Sequence, residues 1–533
     1  VGGIAGRAGT GQFRLRVMPP SPRIFAAPPA PGLTCPEAGK QVIIVGAGPV
    51  GLAAAIELTN HGIETVVLDD NDRVATGSRA ICWSKRSLEI FDRLGIGDRA
   101  VAKGVTWQIG RTFHGNRELF SFDLLPEKGH KRPAFINLQQ YYVEDYMIDV
   151  ALDADSIDLR FRNAVSDLEI RADDVLVTID TPDGHYQLAT QYVLACDGAN
   201  STIRSLLGLS FPGEQFEERF LIADIELEAD FPSERRFWFE PDFHPGQSAL
   251  LHKQPDNIYR IDLQLGPDAD PDAERDPIHV RSRISKVVGT DAFRIEWVSV
   301  YAFRCCCLAS LLHDRIIFAG DAAHVVSPFG ARGGNGGLQD VDALGWRLAA
   351  VLKSRAPPAI LADYNSERMH AADENMTHSI RTTRFMTPAT GIEQIFRNQL
   401  LRLAAKTPFA RAWINSGRLS TPAVYSLPDR LVDILPPATR PGAVAADAPL
   451  KDGWLLDRLG TRLALLVIGS DWRPDIDIPV ISIKPSALIA DRYLGDASAA
   501  VYLVRPDQVI AGRWIKPTPN ELATACNAVW GHP

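Results

Sequence analysis

A chain of 533 residues is longer than one hydrophobic core serves well, so two or three domains are expected. Its 46% hydrophobic and 23% charged residues are those of a soluble globular protein and exclude a disordered or coiled-coil chain. A net charge of -9 excludes the basic footprint of a nucleic-acid or anionic-membrane binder, and no apolar run nears the ~20 residues of a bilayer span, so no nucleic-acid partner and no membrane are expected.

Residues 1–39 are rich in Gly, Pro, Ala and Arg, have no continuous apolar stretch, and read as a disordered extension. Residues 41–45 form an apolar strand that runs into Gly46-Ala47-Gly48-Pro49-Val50-Gly51. A helical stretch ends near Gly62, and a second strand at 63–68 closes with Asp69-Asp70. This is a βαβ unit in the order a dinucleotide fold requires. Gly46 permits the tight turn, Gly48 lets a pyrophosphate approach the backbone, and Gly51 allows close helix-to-strand packing. Pro49 and Val50 open the helix whose N-terminus would receive the phosphates, and Asp69 is spaced to accept from ribose hydroxyls.

Further along, a helix is expected at 135–150, strands at 165–192 around the turn Asp183-Gly184, and a buried strand at 192–196 ending at Asp197-Gly198. From 220 to 304 the pattern alternates: Tyr259, Ile261, Leu263 and Leu265 form one face, Arg260, Asp262 and Gln264 the other, and Trp297, Ser299, Tyr301 and Phe303 repeat the device. That is an antiparallel sheet with two unlike faces, suited to a lid over a cofactor. Trp238, His252, Arg260, Gln264 and Tyr301 are the pocket candidates. No motif decides which face looks inward, and a charge such as Arg260 on an alternating strand is ordinarily solvated.

A strand at 315–318 leads to Gly320-Asp321-Ala322-Ala323-His324, then Pro328 and the run Gly330 to Gly337, which opens a helix over 337–352. Helical patterns continue to 402, and the proline-broken stretch 421–449 reads as a linker. The tail carries strands at 462–468, 480–483, 499–504 and 509–515 and a last helix started by the capping box Thr518-Pro519-Asn520-Glu521. Its element order looks thioredoxin-like, but Cys526 is the tail's single cysteine, so disulfide exchange is excluded. Seven cysteines without regular spacing point to a reducing cytoplasm, and Cys305-Cys306-Cys307 reads as small buried hydrophobes with no metal site.

Gly46 to Gly51, Asp197-Gly198 before Arg204, and Gly320-Asp321 before Pro328 together resemble the three motifs of single-component FAD-dependent aromatic hydroxylases, the group of para-hydroxybenzoate and phenol hydroxylases. The segments 252–257 and 328–333 resemble the 3-(3-hydroxyphenyl)propionate hydroxylase branch, including Ala331-Arg332-Gly333 where the wider family has Gly-Gln-Gly. The resemblance implies an α/β fold: a Rossmann-like FAD-binding domain (40–108, 135–208 and 312–388), an antiparallel-sheet substrate domain (109–134 and 209–311), a helical segment and linker (389–430), and a C-terminal thioredoxin-like domain (440–533). It implies FAD contacts from Gly46, Gly48, Pro49, Val50, Gly51, Asp69, Arg79, Gln140, Asp197, Gly320, Asp321, Pro328, Gly333, Gly334 and Asn335. Asp321 would hold the ribityl chain, Asp197 would sit between FAD and the nicotinamide nucleotide, and Pro328 would wall the reactive C4a atom.

The implied reaction takes NADH or NADPH as transient co-substrate and O2, and hydroxylates a phenolic or aromatic-acid substrate through a C4a-hydroperoxyflavin. Pro328, Arg332, His252, Arg260 and Tyr301 are the candidates at the reacting centre, with Arg332 a cation near the flavin edge or the substrate. His324 is read as a packing and hydrogen-bonding residue. A small aromatic substrate is the expected partner, with a homodimer as a candidate assembly. An FAD oxidase or dehydrogenase of the same fold is the nearest alternative, and a binding module built on the tail is another. The Trp-x-Trp-x-Ile-Pro motif of halogenases and the Cys-x4-Cys pair of disulfide reductases are absent.

Overall fold

The run Val42-Ile43-Ile44-Val45 is β-branched throughout and wholly buried, as a strand covered on both faces must be. It lies inside a six-stranded sheet ordered Leu312–His313, Ile316–Phe318, Tyr192–Ala195, Val42–Val45, Thr65–Asp69, Ile157–Phe161. All neighbours are parallel except the first pair, a short antiparallel hairpin at one edge. The computed structural model describes residues 23–28, 37–38, 41–73, 79–266, 268–388, 391–414, 421–429 and 434–532.

Helix Pro49–Asn60 packs on this sheet and helix Gly333–Leu352 packs on that helix, where glycines let the two meet. A Cβ at Gly337 would lie 2.6 Å from Val50 Cγ2 and 3.0 Å from Gly320 Cα. The expected helix over 135–150 is corrected: Phe135–Asn137 is a strand paired with Cys82–Ser84 and Val105–Trp107, and the helix runs Gln140–Leu152. The long helix begins at Gly333, one turn before the expected 337. Most of the expected disordered extension lies outside the described residues, but 23–28 and 37–38 are docked. Phe25 stacks on Phe161 at 4.2 Å, and Glu37–Ala38 adds a parallel strand to Gly184–Thr190.

The second large sheet has eight strands, ordered His324–Val325, Arg294–Cys307, Gly213–Glu226, Ile258–Leu265, Ser248–Lys253, Arg235–Phe239, Ile109–His114, Arg117–Asp123. Its pairs are antiparallel apart from Arg235–Phe239 beside Ile109–His114. Tyr259, Ile261, Leu263 and Leu265 pack with Val280 and Ile284 of helix Pro277–Val288, which seals the apolar face. The polar face therefore turns toward the six-stranded sheet's unit, where Arg260 donates to the Arg79 carbonyl at 3.3 Å.

Helices Ile360–Met386, Gly391–Ala404 and Pro408–Ile414 follow. The C-terminal residues build a four-stranded sheet ordered Val480–Ile483, Ala464–Ile468, Ala500–Val504, Ile510–Trp514, with an apolar cluster on each face. Thr518 and Glu521 form the reciprocal cap of helix Pro519–Val529. No described helix is long and apolar enough to cross a membrane.

Candidate active site

The first glycine motif is held by backbone sterics. Gly46 has φ +103°, and a Cβ there would lie 2.5 Å from the Cys196 carbonyl oxygen, so only glycine fits. A Cβ at Gly51 would fall 1.8 Å from the Gly46 oxygen. Gly48 differs, because a Cβ there would meet no protein atom within 4 Å. The open space lies at the start of helix Pro49–Asn60, where the first amides lack intrahelical partners. Asp69 Oδ2 accepts from the Ala47 amide at 2.6 Å and Oδ1 from the Asn71 amide at 2.9 Å, which fixes the carboxylate at the strand end.

The second motif rests on a buried ionic cluster. Gly320, at φ +61°, donates its N–H to Asp340 Oδ2 at 2.9 Å. The same carboxylate pairs with His324 Nε2 at 2.8 Å and accepts from Arg368 Nε at 2.7 Å. Burial lowers the His324 pKa, but the Asp340 charge and hydrogen bond outweigh it and leave the imidazole raised. Burial likewise opposes the Asp340 carboxylate, yet His324 and Arg368 hold it at about 2. Arg368 also donates to the Tyr425 hydroxyl at 2.9 Å and to the Gly336 carbonyl at 3.3 Å. His324 is thus tied to structure on the far side of the motif, as the sequence reading expected.

Asn335 pins the start of the long helix. Its Oδ1 accepts from the Ser84 amide at 2.9 Å and the Ser87 hydroxyl at 2.5 Å, and its Nδ2 donates to the Cys82 carbonyl at 2.8 Å and the Ala331 carbonyl at 2.6 Å. With its side chain fully engaged, only its backbone would remain for a ligand. Ala331 sits at φ +53°, an uncommon conformation for a residue with a Cβ, and the turn is closed by its N–H to the Pro328 carbonyl at 3.1 Å. Pro328 is exposed, while Phe329 beside it is buried against Phe220 and Phe303. Arg332 is buried and donates to Asn375 Oδ1 at 2.9 Å.

Between the motifs one buried polar atom is left unsatisfied. Asp197 Oδ2 accepts from the Ile203 amide at 3.0 Å, but its buried Oδ1 has no partner among the described residues. Burial raises the Asp197 carboxyl, and hydrogen bonds from Ile203 and Ser201 pull it back. Asp321 is exposed, with the charges of His324, Arg79 and Arg304 near its carboxylate. Arg204 joins the two segments by donating to the Ala322 carbonyl at 3.0 Å and the Ala199 carbonyl at 2.7 Å. The orphaned Asp197 oxygen and the cradle at Gly48 fit a flavin dinucleotide, with helix amides at Gly333 and Gly334. Gln140 stands at the rim, accepting from the Ala80 amide at 3.1 Å and donating to Glu144 at 2.7 Å.

On the polar face of the second sheet, register aligns a transverse row of side chains. His252 pairs with Arg260, Arg260 with Asp224, and Asp224 with Trp297. Arg236 pairs with Leu251, so Arg235 comes opposite His252 in the same row. Asp224 takes Arg260 in a two-pronged salt bridge at 2.8 and 2.7 Å, and the guanidinium lies over Trp297 at 5.5 Å. The expectation of a solvated Arg260 is therefore corrected: it is 4% exposed and neutralised. Burial, then Arg235 and Arg260, push the His252 pKa well down, so its imidazole is neutral, 4.0 Å from the Cys82 sulfur.

Farther along the face the lining turns aromatic. Phe220, Phe239, Leu250, Phe303 and Phe329 form one cluster, with Phe237 and Tyr301 against it. Gln264 donates to Glu218 at 3.4 Å and accepts from the Ser248 amide at 3.0 Å. Trp238 is corrected as a pocket candidate, since it packs on the opposite face with Phe113 and Phe243. Arg235, Asp224, Asp340 and Arg368 were not singled out by sequence. For Arg235 the usable signal is parity: it shares the face of Phe237 and Phe239, whereas Arg236 shares that of Trp238.

A family model described as an FAD binding domain matches residues 40–379. The 3-(3-hydroxy-phenyl)propionate/3-hydroxycinnamic acid hydroxylase of Mycolicibacterium smegmatis is 25% identical over 524 residues, covering 91% of this chain and 92% of the relative. A rifampicin monooxygenase of Streptomyces venezuelae is 29% identical over 360 residues, covering 67% of this chain and 74% of its own. Among solved structures, the flavin-dependent monooxygenase PieE in complex with FAD and substrate matches with a TM-score of 0.80 at 22% identity, over 94% of this chain and 100% of that one.

Proposed function

Because this chain belongs to the FAD binding domain family and is a single-component FAD-dependent aromatic monooxygenase, we propose that it hydroxylates a phenolic acid, as the 3-(3-hydroxyphenyl)propionate hydroxylase-like branch does. The observation that carries this reading is how the two sheets face each other, with the polar face of the second turned toward the flavin unit so that Arg260 reaches the Arg79 carbonyl. On one side stand the two glycine motifs with the orphaned Asp197 oxygen, and on the other a face that grades from charged to aromatic. FAD, reduced by NADH or NADPH, supplies the activation of O2.

The chain's own residues then have three tasks. Gly46, Gly48, Pro49, Val50, Gly51 and Asp69 receive the adenosine diphosphate portion, and Gly320, Asp321, Gly333, Gly334 and the Asn335 backbone receive the ribityl and isoalloxazine portion, with Arg79, Gln140 and Asp197 at its edge. Pro328 and the aromatic cluster hold the ring and exclude water. Arg332, His252, Arg260 and Tyr301 border that ring space.

Domain limits follow the sequence reading, and the C-terminal sheet is read as a thioredoxin-like domain on the support of its one parallel and two antiparallel pairings. A cytoplasmic location is supported by the six free cysteines among the described residues. A homodimer is supported by the exposed Ile392, Ile395 and Phe396 on one stretch of helix Gly391–Ala404. The deciding experiment screens phenolic acids for stimulated NAD(P)H oxidation and weighs products for one added oxygen atom. Peroxide without an oxygenated product from any aromatic would make the protein an oxidase instead.

A further inference from the structure

The cleft face carries two guanidinium groups with different histories. Arg260 is fully engaged by Asp224. Arg235 forms no hydrogen bond or ion pair among the described residues, although protein surrounds it closely enough to depress its pKa. The acid next to it in sequence, Glu234, is taken by Arg111 at 2.7 Å and Arg236 at 2.8 Å. The neutral His252 opposite Arg235 brings no charge. Asp262 is the remaining acid that Arg235 feels, and it acts beyond ion-pair distance.

A guanidinium cannot shed its proton, so it stays charged at this half-buried position and has no acceptor from the described protein groups. Arg235 is half-buried, so a ligand that closes over it removes its remaining water and must supply an acceptor, which an anion does best. The cation sits at the charged end of the row, with the aromatic lining beginning at Phe237 on its own strand. A molecule with an aromatic ring at one end and an anionic group at the other matches that order.

We propose that Arg235 is the specificity-determining residue of the cleft, binding the carboxylate of an aromatic acid while the ring lies against Phe237 and its neighbours. This rests on the aromatic hydroxylase reading of the same cleft. The guanidinium fork accepts a carboxylate with two parallel hydrogen bonds. It does not take part in the oxygen transfer.

The test uses the holoenzyme and paired ligands: 3-(3-hydroxyphenyl)propionate and its carboxamide, titrated by the flavin difference spectrum and by calorimetry. Wild type is expected to hold the acid about tenfold or more tighter than the amide, the range of a charge-assisted hydrogen bond. Arg235→Gln is expected to lose about 10- to 100-fold for the acid and little for the amide, with Arg235→Lys recovering part of the loss. Equal affinity of wild type for acid and amide would overturn the proposal without any variant, and so would an equal loss for both ligands in a folded, FAD-loaded Arg235→Gln. If neutral phenols are hydroxylated and acids are not preferred, the anchor fails while the monooxygenase stands. If no aromatic yields an oxygenated product, the functional reading fails first.

Discussion

His324 and Asp340 form a buried ion pair, Nε2 to Oδ2 2.8 Å, and the same Asp340 oxygen receives the Gly320 amide. The turn that would carry the flavin's ribityl chain is therefore fastened from behind by charge. Removing the carboxylate in Asp340→Asn strands both His324 and Arg368, which predicts a loss of about 3–5 kcal/mol in unfolding free energy. The pH dependence has a defined sign. The raised His324 contributes fully below its ordinary 6.5 and loses its share as pH rises through the folded value. The depressed Asp340 contributes above its ordinary 3.8 and loses its share as pH falls toward about 2. Chemical denaturation across pH should show this contribution largest between about pH 4 and pH 6.5, and absent in Asp340→Asn. A variant with wild-type stability at pH 5.5 would refute the role.

A second buried network joins the C-terminal sheet to the flavin unit. Arg505 pairs with Glu367 at 2.6 Å and Asp507 at 2.5 Å, and Arg347 reaches the same Glu367 at 2.9 Å. Arg86 binds Asp342 at 2.6 Å, the Asp507 carbonyl at 2.6 Å and Gln508 at 3.0 Å. Arg505→Met should cost about 3–5 kcal/mol, because the buried Asp507 loses its close partner and Glu367 is left with Arg347 alone. Deleting residues 434–533 should yield a chain that fails to accumulate in folded form. A truncated protein that melts like the full chain and retains FAD would show the tail to be dispensable.

These networks mark the boundary of what sequence conveys. The strand-turn-helix at 42–60 is legible because Gly46 and Gly51 meet local backbone constraints within one short segment. The alternation at Tyr259 to Leu265 is legible too, but the direction of its faces is not. Helix Pro277–Val288, distant in sequence, covers the apolar side and leaves Arg260 to be buried against Asp224. Asp340 lies on a helix with no local signal that it will serve Gly320, His324 and Arg368 together. The segment Phe135–Asn137 reads as helix by apolar content, and strand pairing with Cys82–Ser84 overrides it.

Asp262 offers a test of the polar face without any ligand. Burial lifts its carboxyl to about 6, Arg260 and Arg235 only partly offset this, and its Oδ1 is buried without a partner. The folded state therefore holds this proton more tightly than the unfolded chain. Stability from this group is present below about pH 4 and is lost as pH rises toward 6, by at most about 3 kcal/mol. Asp262→Asn should flatten that part of the melting-temperature profile and raise stability at pH 7. An unchanged profile would assign the titration elsewhere.

Gly48 and Gly337 differ in what surrounds them: open space at the first, packed side chain and backbone at the second. At Gly48, in extended backbone with φ -74°, an added Cβ meets no protein atom within 4 Å. At Gly337 it would press on Val50 at 2.6 Å and Gly320 at 3.0 Å. Gly337→Ala should thus destabilise the apoprotein by about 1–3 kcal/mol, the cost of overpacking a tight contact. Gly48→Ala should leave apoprotein stability within about 1 kcal/mol, since the poorer N-cap of alanine is offset by its smaller loss of backbone entropy on folding at this non-left-handed position. FAD affinity should fall about tenfold or more in Gly48→Ala, because the methyl occupies the path of the pyrophosphate. Fluorescence titration of apoprotein with FAD, run beside thermal melts, reads both effects. Undiminished FAD affinity in Gly48→Ala would remove the cradle from the proposed cofactor site.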